Sequence, residues 1–221
     1  MQKEKTNRMF KDSVFTDLFY SDKAAKENLL SLYNALFGTD YQDPNIIEKV
    51  RLEDVLFMNM KNDIAFSVQN RRIILGEHQS TPNSNMPLRS LMYIAREYEK
   101  VINPKDRYRR NLIKIPTPEF ITFYNGEEEC PQEEVLKLSD AFKIQEANPV
   151  LELKVRVINI NTTYGHEILK KCSVLREYSL FIDEVRRHKK SPQFLTETVR
   201  ECIKKDILAE YLTRKGSEVI N

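Results

Sequence analysis

Glycine is scarce in this chain, with five residues in 221. None stands in a G-x-x-x-x-G-K or G-x-G-x-x-G arrangement, so the glycine-rich loops that cradle nucleotide phosphates are excluded. Cysteine is scarcer still. Cys130, Cys172 and Cys202 are odd in number, far apart and without metal-ligand spacing. They exclude a disulfide framework and point to a reducing cytoplasm. No apolar run approaches the roughly 20 residues of a membrane-spanning helix, and the opening MQKEKTNRMFKD is charged where a secretory signal would be apolar. Neither sign of charge dominates: 35 Lys and Arg against 33 Asp and Glu give a net charge of +2. That excludes a strongly basic field over the whole protein and leaves room for a local basic groove. With 41% hydrophobic and 31% charged residues, the chain reads as globular, with one large domain or a core with an appendage.

What is present centres on residues 60–79, MKNDIAFSVQNRRIILGEHQ. Two β-prone runs flank Gln69-Asn70-Arg71, and Asn is the non-glycine residue that best tolerates a left-handed turn position. With those three residues as the loop, Val68 pairs with Arg72, Ser67 with Ile73, and Asp63 falls opposite Glu77, about 5 Å away on one face. Two ionised carboxylates at that distance repel, so one must hold a proton or a cation must sit between them. A small cluster of oxygen ligands suits Mg²⁺ or Mn²⁺. Strand alternation carries Gln79 to the Glu77 face and turns His78 away. A two-residue loop would instead pair Asp63 with His78 and remove Glu77 from the site, because a slip of one residue exchanges the faces. The plain alternative is a surface hairpin whose acids and amide are merely solvated.

An Asp followed about a dozen residues later by Glu-x-Gln resembles the PD-(D/E)XK nuclease superfamily. Three flanking stretches are more specific: KDSVFTDLF at 11–19, NDIAFSV at 62–68 and GEHQSTPNSNMPLRSLMYIAREYEK at 76–100. Together they resemble the bacterial recombination-promoting nuclease and transposase family, over most of the chain from Lys11 to about Glu218. Gln79 stands where the superfamily more often has Lys, which removes a cationic general-base candidate. The resemblance implies Asp63, Glu77 and Gln79 as catalytic residues, with Asp63, Glu77 and the His78 backbone carbonyl holding the metal. It implies DNA as the substrate, and a role in recombination or defence against foreign DNA.

Around this hairpin the chain reads as follows. Asp12 and Ser13 cap a short helix through Phe19; the resemblance makes Asp12 an accessory acid near the metals, and the plain reading is an N-cap. A second helix starts at Asp22 and stops at Gly38. A first strand is expected around residues 55–60. Pro87 opens a helix whose apolar stripe is Leu88, Leu91, Met92, Ala95, Tyr98 and Ile102. Arg89 lies off that stripe, either facing the scissile phosphate or solvated. The basic loop at 103–111 offers Arg107, Arg109 and Arg110 to a nucleic-acid backbone, or simply to water. Residues 112–115 and 119–124 read as strands, and 150–160 as an amphipathic one. From Gly165 the pattern is helical, as two long helices with the second closed near Gly216. Between them Arg186, Arg187, Lys189 and Lys190 either contact phosphates or complement a helix C-terminus.

The expected fold is mixed α/β: a restriction-endonuclease-like core sheet flanked by helices over 1–161, with a C-terminal helical pair over 162–221 packed on it. The expected function is a Mg²⁺- or Mn²⁺-dependent DNA endonuclease. Its partner is DNA, no membrane is involved, and a homo-oligomer is left open. The rival is a catalytically inactive DNA-binding or partner-binding protein on a nuclease-like fold.

Overall fold

The computed structural model describes residues 14–50, 63–189, 191 and 193–220. The strand expected at 55–60 lies outside them, as do Asp12 and Lys190. The fold is mixed α/β. In chain order its elements are helix α1 (Ala25–Phe37), strands β1 (Ile47–Lys49), β2 (Ile64–Val68) and β3 (Arg72–Gln79), helix α2 (Met86–Val101), strands β4 (Thr117–Tyr124), β5 (Glu133–Lys137) and β6 (Lys154–Asn159), and helices α3 (Ile168–Lys171), α4 (Ser173–His188), α5 (Phe194–Lys204) and α6 (Ala209–Ile220). Two compact units divide the chain. Asn45–Asn159 forms one; the other joins the residues up to Pro44 to those from Ile160 onward. The N-terminal helix groups with the C-terminal helices.

The sheet unit is ordered β1-β2-β3-β4-β6-β5. β1, β2 and β3 run antiparallel, β3, β4 and β6 are parallel, and β5 returns antiparallel along the edge of β6. The hairpin takes the three-residue loop: Val68 pairs with Arg72 and Ile64 with Gly76. Gln69 and Asn70 hold positive φ, 50° and 52°, and the Arg71 N–H closes the turn on the Val68 carbonyl at 2.9 Å. Every residue of β2 is buried, so this is an interior hairpin. Gly76 is required where it stands, because a Cβ there would lie 2.5 Å from Ile64 Cγ1 on the opposing strand. On the other face Ala65, Ile73 and Leu75 pack with Met86, Tyr93 and Ile94 of α2.

Three sequence expectations change here. Residues 112–115 are not a strand, because parallel pairing with β3 begins only at Arg72 with Thr117. Leu112 stays exposed. The amphipathic strand is shorter than 150–160, since pairing with β5 starts at Lys154. The buried stripe of α2 is rotated: Met86, Ser90, Tyr93, Ile94 and Glu97 face inward, while Leu88 and Met92 are exposed.

In the helical unit, Asp22 Oδ1 accepts the Ala24 N–H at 2.9 Å before α1, and Gly38, at φ 64°, ends it. The turn before it is a π-helix over Asp17–Ser21, closed by Asp22 N–H on the Asp17 carbonyl at 2.8 Å. The two long C-terminal helices are each broken, at Cys172, which is extended, and at 205–208, where Asp206 and Leu208 take positive φ. Gly216 is not a stop. It is buried within α6, and a Cβ there would sit 3.0 Å from Val199 Cγ1 of α5, so glycine permits a close helix approach.

Asp22 also receives Arg214 at 2.9 Å, and Lys215 meets Asp17 at 2.8 Å, tying α6 to the start of the unit. Burial would raise the Asp22 carboxyl. Hydrogen bonds from Arg214 and the Ala24 amide, with the charges of Arg214 and Lys215, outweigh it and lower the pKa. A carboxyl whose folded pKa is depressed stabilises fully above its unfolded value, about 3.9, and loses that contribution as pH falls through the folded one. Asp22→Asn is therefore expected to lower Tm at pH 7, with the gap from wild type narrowing below about pH 4. A gap of equal size at pH 7 and pH 2 in thermal melts would remove the charge from the account.

Candidate active site

The site is built from one face of the β2–β3 hairpin and the first turns of α2. Ile64 faces Gly76, so the next pair outward sets Asp63 opposite Glu77. At that point β2 begins, and Asp63 Oδ2 accepts the main-chain N–H of His78 at 2.5 Å. Glu77 is on the face of Leu75 and Ile73, under α2. It is 6% exposed, an expensive position for a carboxylate unless charge and hydrogen bonds compensate.

The compensation comes from Arg89. Its Nη2 lies 3.1 Å from Glu77 Oε2 and 3.0 Å from the Tyr93 hydroxyl, one helical turn on. Its Nη1 is 3.6 Å from Met86 Sδ, and its guanidinium carbon stands 5.9 Å from the Tyr93 ring centroid. Burial works against the Arg89 charge. The charge of Glu77, the hydrogen bond and charge of Tyr93 and the charge of Asp63 together outweigh it, so its pKa is raised above the ordinary value. Burial, then the Glu77 charge, push the Tyr93 hydroxyl up against the pull of Arg89; a hydrogen bond to Glu77 also raises it. Both carboxylates thus act on one guanidinium.

Gln79, two residues beyond Glu77 on the same strand face, places its Nε2 2.6 Å from Met86 Sδ. Met86 therefore touches both Gln79 and Arg89. His78 is buried and alternates to the opposite face, leaving its main chain at the site. Gln79 also lines a cavity of about 270 Å³ with Met86, Thr122, Tyr124, Glu129 and Glu134. Thr122 is 2% exposed, and its hydroxyl oxygen has no hydrogen-bond partner among the described residues.

Among the described residues no three His, Cys, Asp or Glu side chains gather as a metal-binding group. The set Asp63, Glu77 and His78 reaches three donors only through the His78 main-chain carbonyl. Its chemistry fits a hard divalent cation: two carboxylates and a carbonyl, all oxygen. The place also already accommodates a positive charge, that of Arg89.

Compared with family models, curated proteins and solved structures, the chain finds no match.

Arg107 and Arg110 are exposed beside a short 3₁₀ turn, and Arg109 pairs with Asp106 at 2.9 Å. In the helical unit, Arg186 Nη1 meets Asn161 Oδ1 at 2.7 Å and Asp183 at 3.2 Å, and Arg187 meets Glu184 at 2.5 Å. Both sit in the last turn of α4 and are engaged in local ion pairs; Lys189 is exposed beyond it.

Sequence reasoning missed Tyr93 and Met86 as site residues. The available signal was Arg89 and Tyr93 at i and i+4, which places a guanidinium and a phenol side by side on a helix.

Proposed function

We propose that this protein is a metal-dependent endonuclease that hydrolyses DNA phosphodiester bonds on a restriction-endonuclease-like core, in recombination or defence against foreign DNA. The observation that carries the proposal is the hairpin register, which sets Asp63 across from Glu77 with Gln79 next on the same face. The family resemblance of residues 11–19, 62–68 and 76–100 supplies DNA as the substrate class.

In this mechanism Asp63, Glu77 and the His78 carbonyl would hold Mg²⁺ or Mn²⁺. The ion, when bound, lowers the pKa of a water and neutralises charge that develops on the phosphate. Gln79 orients that water by hydrogen bonding. It cannot take the proton, because a neutral amide is not a base at pH 7, so the proton leaves to solvent or to a substrate phosphate oxygen. Leu75 and Ala65, the next pair on the same face, are buried.

The deciding experiment incubates supercoiled plasmid with the protein, with Mg²⁺ and with chelator. Mg²⁺-dependent nicking is expected; equal silence in both, with DNA still bound, would favour an inactive DNA-binding protein. One observation favours that second reading: Arg89 already neutralises Glu77 at 3.1 Å, as a permanently closed site would.

DNA contact by the basic segments has its own test. If Arg107, Arg109 and Arg110, or Arg187 and Lys189, meet phosphates, neutralising them should weaken binding and flatten its salt dependence. Each lost contact should reduce the log–log slope by about 0.9 for duplex DNA. An unchanged slope in a salt titration would return these charges to solvent and to their local ion pairs.

A further inference from the structure

We infer that Arg89 is the resident counter-cation of the carboxylate pair, and that a divalent ion binds only by displacing its guanidinium from Glu77. The inference rests on the nuclease reading above and adds a residue that sets metal affinity.

Arg89 cannot yield by losing a proton, since a guanidinium stays charged at any working pH. A divalent ion bound to the same Glu77 carboxylate would stand within a few ångströms of this charge, where like charges in a partly desolvated place repel strongly. The guanidinium must therefore move. The structure gives it the freedom to do so. The Glu77 side chain is 8% exposed, but that of Arg89 is 30% exposed, so it sits at the mouth of the site and not beneath it. Tyr93 offers a second anchor beside Glu77: a hydroxyl at 3.0 Å and a ring within cation–π range. The thioether of Met86, the other neighbour of Arg89, is soft and adaptable and presents no barrier to such a shift.

Two consequences follow. Metal binding in the absence of DNA is weakened by competition from Arg89. Removing that charge should strengthen it, even though Arg89 is not a ligand. Asp63, whose Oδ2 accepts the His78 N–H, should keep its place throughout.

The test titrates Mn²⁺ into DNA-free protein and reads free Mn²⁺ by electron paramagnetic resonance, for wild type, Arg89→Gln, Arg89→Lys and Arg89→Gln/Glu77→Gln. Arg89→Gln should bind about tenfold more tightly than wild type. Arg89→Lys should stay near wild type, and the double variant should lose the gain. Equal or weaker binding by folded Arg89→Gln, with wild type binding Mn²⁺, overturns the inference and leaves the nuclease reading standing. No Mn²⁺ binding by wild type or any variant overturns both. A second measurement needs no variant that must fold without the charge. In wild type, Mg²⁺ should shift the Arg89 side-chain Nε resonance together with the His78 amide. Movement of the His78 amide with a stationary Arg89 signal would mean that the ion enters without displacing Arg89.

Discussion

Asp63→Asn and Glu77→Gln are each expected to reduce Mg²⁺-dependent nicking of supercoiled plasmid by about 10³-fold. Ion-mediated charge stabilisation at phosphate is worth several kcal/mol, and about 4 kcal/mol corresponds to that factor. Both changes remove one ligand charge and keep the shape. The amide oxygen introduced by Asp63→Asn could still accept the His78 N–H that Asp63 Oδ2 now takes, so the start of β2 should survive. Gln79→Ala should cost less, about 10²-fold, by analogy with the loss of one oriented hydrogen-bond donor. Gln79→Lys should retain activity, since it places the commoner superfamily residue on the same strand face. The comparison is made on initial nicking rates at saturating Mg²⁺, with circular dichroism to check the fold. If Asp63→Asn nicks like wild type, the carboxylate pair is not the metal site.

The part of this site that was legible in the sequence is the part set by local chain geometry. Asn70 in a short loop between two β-prone runs marks the turn and leaves a three-residue or a two-residue loop. A turn defines a register, and a register decides which side chains oppose one another. The pairing of Val68 with Arg72 and of Ile64 with Gly76 is the three-residue alternative. The span of α2 was legible for a similar reason: Pro87 sits in its first turn, and the helix runs to Val101.

The face of α2 was not legible. Counting apolar residues selects Leu91 and Tyr98, which pack on the core, but also Leu88 and Met92, which are exposed, whereas the fully buried side is Met86, Ser90, Tyr93, Ile94 and Glu97. Three of those five are polar, and their burial depends on partners supplied by tertiary structure. Tyr93 bonds Arg89 at 3.0 Å, and Glu97 meets Lys100 at 3.1 Å. A periodicity argument sees hydrophobicity and is blind to charges neutralised inside the fold. β5 escaped for a related reason. Its sequence, Glu-Glu-Val-Leu-Lys, is that of an exposed edge, held by pairing with β6 more than by its own burial. Gly216 was misread because glycine serves both to end a helix and to let two helices approach, and only the position of Val199 distinguishes the two.

The same ion pair reverses the sign of a stability argument made from sequence alone. Two opposed carboxylates repel, so removing one should raise or hold the stability of the metal-free protein. With Arg89 in place, the pair is part of a compensated cluster, and its weakest point is the cation. Arg89→Ala would leave the Glu77 charge, 8% exposed in its side chain, with the neutral Tyr93 hydroxyl in place of a cation. Breaking a buried ion pair in this way typically costs about 3–5 kcal/mol. For a domain of 150–250 residues that is a fall in Tm of roughly 6–20 °C. Glu77→Gln alone should cost about 1 kcal/mol, because Arg89 keeps Tyr93 and the field of Asp63. The double variant Arg89→Ala/Glu77→Gln should melt above Arg89→Ala, since the uncompensated carboxylate is then gone. The cycle should return a coupling of about 2–3 kcal/mol, within the range of residues in direct contact. Thermal melts of all four proteins without metal measure it. If Arg89→Ala melts within a degree of wild type and the double variant gains nothing, Glu77 is not stabilised by Arg89 in solution, and the guanidinium is not the cation that this carboxylate pair requires.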